Sequence, residues 1–151
     1  MEELTGRCAC RGVSYRVRGK LDRGYACHCT DCQTRSGSAF ATLLPVDRSG
    51  LVIEGEVGTI IQQERRGVNA LLHYCPGCIT RLFTHNPSWP DLAILRAGTL
   101  DRSPEFVPAL HIWTRSAQSW IALPPDTPSR ETQPETPEEW RSLLWPQGKR
   151  S

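Results

Sequence analysis

In the run GVSYRVRG, Val13, Tyr15 and Val17 occupy alternate positions with Ser14, Arg16 and Arg18 between them. Runs of similar length follow as GLVIEGE, NALLHYC, DLAILRAGTLD, ALHIWTRS and SWIALPP, separated by Gly, Pro or Asp as far as residue 124. A period of two, carried by β-branched and aromatic residues and broken at short intervals by turn residues, predicts strands. The class expected for residues 1–124 is therefore all-β, in one domain. No stretch there sustains a helical period, and nothing repeats at a fixed length.

The pattern changes after Pro124. Residues 125–151 are rich in Pro, Thr, Glu and Arg, a composition that predicts an exposed polar tail. Within it, TPEEWRSLLW carries helix-start chemistry. Thr136 is placed to cap, Pro137 stands at the first helical position, and Glu138 and Glu139 fall in the first turn. The predicted helix covers 137–145 and ends before Pro146. It would lay Trp140, Leu143 and Leu144 on the β domain or on a partner subunit, or else fray in solvent, because an isolated helix this short is marginal.

A chain of 151 residues, 38% hydrophobic and 23% charged, has the make-up of a soluble globular domain. Its net charge of +2 gives no footprint for nucleic acid or a membrane surface. The acidic start MEELTGRC lacks an apolar run of the signal-peptide kind, and no stretch approaches membrane-spanning length. These features predict a cytoplasmic protein.

Seven cysteines in a reducing compartment call for a reason other than disulfides. They fall as Cys8-x-Cys10, Cys27-x-Cys29-x-x-Cys32 and Cys75-x-x-Cys78, short spacings that aim several sulfurs at one centre and predict zinc binding. They divide as four plus three. The two pairs, distant in sequence, suit a closed tetrahedral site whose binding energy becomes folding energy. In CPGC, Pro76 presets φ and Gly77 tolerates a positive φ, which predicts a type II turn.

Cys27, Cys29 and Cys32 cannot close a four-coordinate site alone. His28 lies between two ligands and is expected to point away. Asp31 offers a carboxylate, although an exposed turn acid is the commoner fate of such a residue. Three protein ligands with an exchangeable fourth is the pattern of catalytic zinc. Three thiolates make the ion a weak Lewis acid toward a carbonyl. They still allow it to capture a substrate thiol and hold it as a thiolate, which favours chemistry on sulfur over hydrolysis.

The motifs GRCAC, CHCTDCQTRSGSAF, CPGC, GTLD at 98–101 and HIW at 111–113, in this order over about residues 5–124, resemble the glutathione-dependent formaldehyde-activating enzyme family. That family also includes centromere protein V. The resemblance implies a β-tent (Mss-four-like) fold with two zinc ions. Cys8, Cys10, Cys75 and Cys78 would hold a structural ion, and Cys27, Cys29 and Cys32 a catalytic one. It also implies a carbon–sulfur lyase type of activity, joining formaldehyde to glutathione as S-hydroxymethylglutathione. The substrate would be a small glutathione-like thiol, with no nucleic acid or membrane as partner. Three positions depart from the family pattern: Arg11 and Ile79 stand where glycine is usual, and Ala117 replaces a basic residue.

Other residues invite weaker roles. Arg35, three positions after Cys32, could meet a substrate carboxylate, though a solvated arginine is the default. His111 reads as a hydrogen-bonded structural histidine rather than a catalytic one. Trp113 and Trp120 are expected in the core or lining a cleft, Asp101 in a turn, and Arg65 and Arg66 in solvent. Two rival functions stay open on the residues alone. One is a non-enzymatic binding module stabilised by zinc, and the other a thiol-redox or metal-handling protein.

Overall fold

A computed structural model of the chain describes residues 1–63 and 69–146, in two compact units. The first unit is Met1–Lys20 with Leu44–Phe106; the second is Leu21–Leu43 with the chain from Val107 on. Arg65 and Arg66 lie outside the described residues. The strands, in chain order, are β1 (Glu2–Arg7), β2 (Ser14–Gly19), β3 (Tyr25–Cys27), β4 (Ala41–Asp47) and β5 (Val52–Glu54). There follow β6 (Gly58–Gln63), β7 (Asn69–Tyr74), β8 (Arg81–His85), β9 (Leu92–Arg96) and β10 (Leu110–Ile112). Two α-helices, α1 (Thr30–Ser36) and α2 (Pro137–Leu144), are short, so the fold is all-β as expected. No helix among the described residues is long and apolar enough to cross a membrane.

In the first unit, β1, β2 and β5 form an antiparallel sheet in the order β1–β2–β5. The alternation in β2 decides its faces. Val13, Tyr15 and Val17 are buried, with Leu4 opposite Val17 and Gly6 opposite Tyr15. Glycine is required at position 6, because a Cβ there would sit 2.3 Å from the Tyr15 ring. The space admits that ring, whose hydroxyl meets Thr99 Oγ1 at 2.7 Å. Ser14, Arg16 and Arg18 face outward opposite Arg7, Thr5 and Glu3. A second sheet of this unit runs from the end of β4 through β9, β8 and β7 to β6. Leu44, Val46, Leu72, Leu82, Phe83 and Leu95 fill its core.

In the second unit, β3 lies between β10, which is parallel to it, and the start of β4, which is antiparallel. Residues 128–132, placed by the sequence in an exposed tail, run along β10. His111 donates to the Pro128 carbonyl and Arg130 to the His111 carbonyl, while Trp113 donates to Thr132. Helix α2 starts as its sequence predicts: Thr136 Oγ1 accepts from the Glu139 N–H at 3.1 Å. Leu144 is buried, and the Trp140 ring meets Tyr25 edge-on at 5.1 Å.

Two sequence expectations fail here. A helix, α1, forms within the region read as having none. It buries no residue, so it has no apolar stripe for periodicity to register. The run SWIALPP is not a strand; Ser119 and Trp120 make a turn, with Trp120 72% exposed.

Candidate metal and thiol site

Each unit carries one group of cysteines. In the first, the sulfurs of Cys8, Cys10, Cys75 and Cys78 lie within 4.8 Å of one another. Two matching turns bring them together. After β1, the Cys8 N–H donates to the Val13 carbonyl and the Arg11 N–H to the Cys8 carbonyl. After β7, the Cys75 N–H donates to Thr80 and the Ile79 N–H to the Cys75 carbonyl at 2.8 Å. Each turn needs one left-handed residue, supplied by Arg11 (φ 66°) and Ile79 (φ 63°). The type II turn expected at Gly77 is not formed; the positive φ falls at Ile79 instead. The positions where the family pattern has glycine thus keep a glycine-like backbone despite carrying larger side chains.

The donors fit a zinc ion. A tetrahedron with Zn–S bonds of about 2.3 Å has edges of about 3.8 Å. Cys8 and Cys10 sulfurs are 3.6 Å apart, and those of Cys10 and Cys75 3.7 Å. Thiolates also need donors. Val13 gives its N–H to Cys8 Sγ at 3.2 Å, and the Thr80 hydroxyl lies 3.1 Å from Cys78 Sγ. The Ala9 N–H binds that same hydroxyl, linking one turn to the other. The Thr80 hydroxyl and the N–H groups of Cys10 and Thr80 bring the Cys78 thiol down to about 5. Cys10 is pulled down by the Gly12 N–H, but the three neighbouring sulfurs prevail and push it up to about 11. Four sulfurs in so small a space ionise together only around a cation.

In the second unit, Cys27, Cys29 and Cys32 bring three sulfurs within 4.8 Å. Cys27 ends β3, Cys29 is the N-cap of α1, and Cys32 lies in its first turn. The Cys32 N–H donates to Cys29 Sγ at 3.3 Å, so the cap and the sulfur cluster are one arrangement. The Gln33 side chain donates to the His28 and Ser116 carbonyls, anchoring α1. The sulfurs of Cys29 and Cys32, together with burial, push the Cys27 thiol far up, the mark of a triad that needs a cation to ionise. No other His, Cys, Asp or Glu among the described residues, Asp31 and His28 included, brings a ligand atom within 4.8 Å of all three sulfurs.

His28 is fully buried, and its Nε2 lies 3.0 Å from His111 Nδ1. The Phe40 ring packs 5.0 Å from the His28 ring. Burial holds both imidazoles below their ordinary pKa. Arg35 is half-buried in the last turn of α1. Trp113 is half-buried and donates from Nε1 to Gln133, with the Arg115 guanidinium 4.9 Å over its ring. Asp101 lies in a turn, as expected, and accepts from Thr5 and Arg7. A wide cleft of about 540 Å³ runs along α1, lined by Gln33, Thr34, Ser38, Gln118 and Trp120 among others, with no charged side chain. Trp120 takes the cleft position, one of its two expected places, whereas the polar lining from Gln33, Thr34, Ser38 and Gln118 carries no periodic signal in the sequence.

The profile of the glutathione-dependent formaldehyde-activating enzyme family matches residues 3–116. A Halomonas elongata protein that carries the provisional name of a glutathione-dependent formaldehyde-activating enzyme is 30% identical over 129 residues. That alignment covers 80% of each chain. Among solved structures, a Rhodobacter sphaeroides protein from structural genomics superposes with a TM-score of 0.53 at 20% identity. It covers 69% of this chain and 97% of that one, a likeness of fold. On the profile match and the relative together, the chain belongs to the glutathione-dependent formaldehyde-activating enzyme family.

Proposed function

We propose that this protein is a zinc-dependent enzyme of the carbon–sulfur lyase type, joining a small thiol such as glutathione to an aldehyde such as formaldehyde. Cys8, Cys10, Cys75 and Cys78 would hold a structural zinc ion, and Cys27, Cys29 and Cys32 a catalytic one. The observation that carries this reading is the contrast between four converging sulfurs in one unit and three in the other. A closed set supports a fold, whereas three ligands leave a place for a substrate sulfur. Zinc bound there would lower the pKa of a coordinated thiol and keep it ionised near neutral pH.

The chain's own residues supply the rest. The Cys32 N–H and the Gln33 anchors fix two of the three sulfurs on α1, and the His28–His111 contact holds the cysteine segment against β10. The cleft along α1 gives the body of the thiol a place, with amide and hydroxyl groups from Gln33, Thr34, Ser38 and Gln118 and the Trp120 ring as one wall. In the addition the C–S bond forms, the C=O π bond breaks, and the thiol proton passes to the former carbonyl oxygen.

Exchange NMR of formaldehyde and glutathione tests the reading. Zinc-loaded protein is expected to speed their equilibration with S-hydroxymethylglutathione beyond the spontaneous rate. Cys29→Ser is expected to abolish that acceleration and to lose one of two zinc ions while the fold persists. A two-zinc protein that accelerates addition for neither glutathione nor a simpler thiol overturns it.

A further inference from the structure

A second cleft, of about 270 Å³, lies in the first unit over the outward face of the β1–β2–β5 sheet. Two adjacent cross-strand rows form its floor, Arg7–Ser14–Glu54 and Thr5–Arg16–Val52. Arg11 stands at its edge, in the turn after Cys10. The charges are unequally committed. Arg7 donates from Nε to Asp101 Oδ1 at 2.9 Å, and the Thr5 hydroxyl takes the other carboxylate oxygen at 2.7 Å. Among the described residues, the guanidinium groups of Arg11 and Arg16 make no ion pair or hydrogen bond. With Asp101 occupied by Arg7, Glu54 alone among the lining acids faces two uncommitted arginines, and the cleft keeps a surplus of positive charge.

The backbone fixes where Arg11 stands, as the matching turn does for Ile79. The turn that delivers Cys10 to its cluster holds Arg11 at φ 66°, where glycine sits without steric cost and a side chain does not. The Arg11 side chain offsets that cost with no polar contact among the described residues. Two unpaired guanidinium groups lining one cleft are free to receive a ligand from outside the chain. Guanidinium forks suit planar or tetrahedral oxyanions, which they bind through paired N–H groups.

We propose that this cleft binds a small molecule bearing an oxyanion, a phosphate or a carboxylate group. Arg11 and Arg16 hold the anion, with the Ser14 hydroxyl as a further donor. The site is independent of the thiol chemistry and of the three-cysteine group. Its selectivity comes from Glu54, which repels a ligand that carries a second anion on that side.

The test uses zinc-loaded protein, titrated with inorganic phosphate and separately with acetate at fixed ionic strength, read by calorimetry and by the unfolding midpoint. Saturable binding of one probe is expected, and which probe binds separates a phosphate ligand from a carboxylate one. Arg16→Gln is expected to weaken that binding roughly tenfold or more, the loss of a charge-assisted contact. Arg11→Gly is expected to weaken it similarly while raising the unfolding midpoint of the ligand-free protein by about 2–4 °C, through relief of the left-handed backbone. Three results overturn the proposal: no saturable binding of either probe, unchanged affinity in both variants, or an Arg11→Gly variant that binds normally but releases zinc from the four-cysteine cluster. The last would make Arg11 a counter-charge to the thiolates.

Discussion

His28 Nε2 and His111 Nδ1 lie 3.0 Å apart, so that two buried imidazoles, one between Cys27 and Cys29 and one on β10, pair through one nitrogen each, while His28 Nδ1 has no partner among the described residues. The same junction is held by the backbone, where the His28 N–H donates to the Ile112 carbonyl at 3.0 Å. His111→Leu strands a buried ring nitrogen of His28 and is expected to cost about 1–3 kcal/mol. Replacing both by leucine is expected to cost less than the sum of the single changes, since neither partner is then left unpaired. Urea unfolding of the zinc-loaded variants measures the coupling, and strict additivity would show that the contact contributes none.

Ile79 is a β-branched residue at φ 63° with 66% of its surface exposed. Little burial is lost by shortening it. Ile79→Gly is expected to gain about 1 kcal/mol by relieving the left-handed strain, partly offset by the freedom glycine has when unfolded. For a chain of this size that is a rise of about 2–4 °C in the unfolding midpoint. Calorimetry checks the direction; a fall would mean that the exposed isoleucine makes a contact the turn requires.

His85 is buried on β8, and neither ring nitrogen has a hydrogen-bond partner among the described residues. Burial, assisted by the nearby Arg48 charge, holds its pKa below the ordinary value. The sign follows from proton binding. As pH falls through the unfolded-state value near 6.5, the unfolded chain takes a proton that the folded chain refuses. Stability from this residue is therefore full above that pH and is lost below it, down to the folded-state pKa. Each such unmatched proton gives a slope of about 1.4 kcal/mol per pH unit. His85→Leu is expected to flatten the decline in unfolding free energy between pH 7 and 5, measured by urea titration at each pH. An unchanged slope would mean that His85 is protonated in the fold.

Cys75→Ser removes one sulfur from the four-cysteine cluster, whose turns fasten the ends of β1 and β7. Zinc at a closed site of this kind contributes several kcal/mol or more to folding. The variant is expected to lose that ion and with it the near-ultraviolet circular dichroism of the first unit. A variant that keeps its native spectrum and melts like the parent protein would remove the structural role.

Much of this was legible in the chain. The alternation in GVSYRVRG put Val13, Tyr15 and Val17 on the buried face of β2, because a half-buried strand leaves its period in the sequence. Cysteine spacing foretold both sulfur groups, since short loops fix where neighbouring side chains converge. The illegible parts share a cause. Helix α1 is capped by a cysteine, buries nothing, and ends on Gly37 in the left-handed conformation, so backbone geometry defines it rather than hydrophobicity. Residues 128–132 join β10 through backbone hydrogen bonds, which any sequence can make and composition does not reveal. The left-handed turn residue was sought at Gly77 because glycine favours that conformation. The chain places it at Ile79, where the hydrogen bond to Cys75 demands it.

The cap of α1 has a consequence for how the protein matures. Seven residues are too few to stand as a helix by themselves, and the atom that receives the Cys32 N–H in the first turn of this one is the Cys29 sulfur. Anything that draws that sulfur elsewhere, whether alkylation, oxidation or loss of an ion from the cluster, withdraws the helix's starting point at the same time. Amide hydrogen exchange over residues 30–36 would then act as a gauge of cluster integrity. The protein would register damage to its three-cysteine cluster as a local melting, visible before the rest of the fold responds.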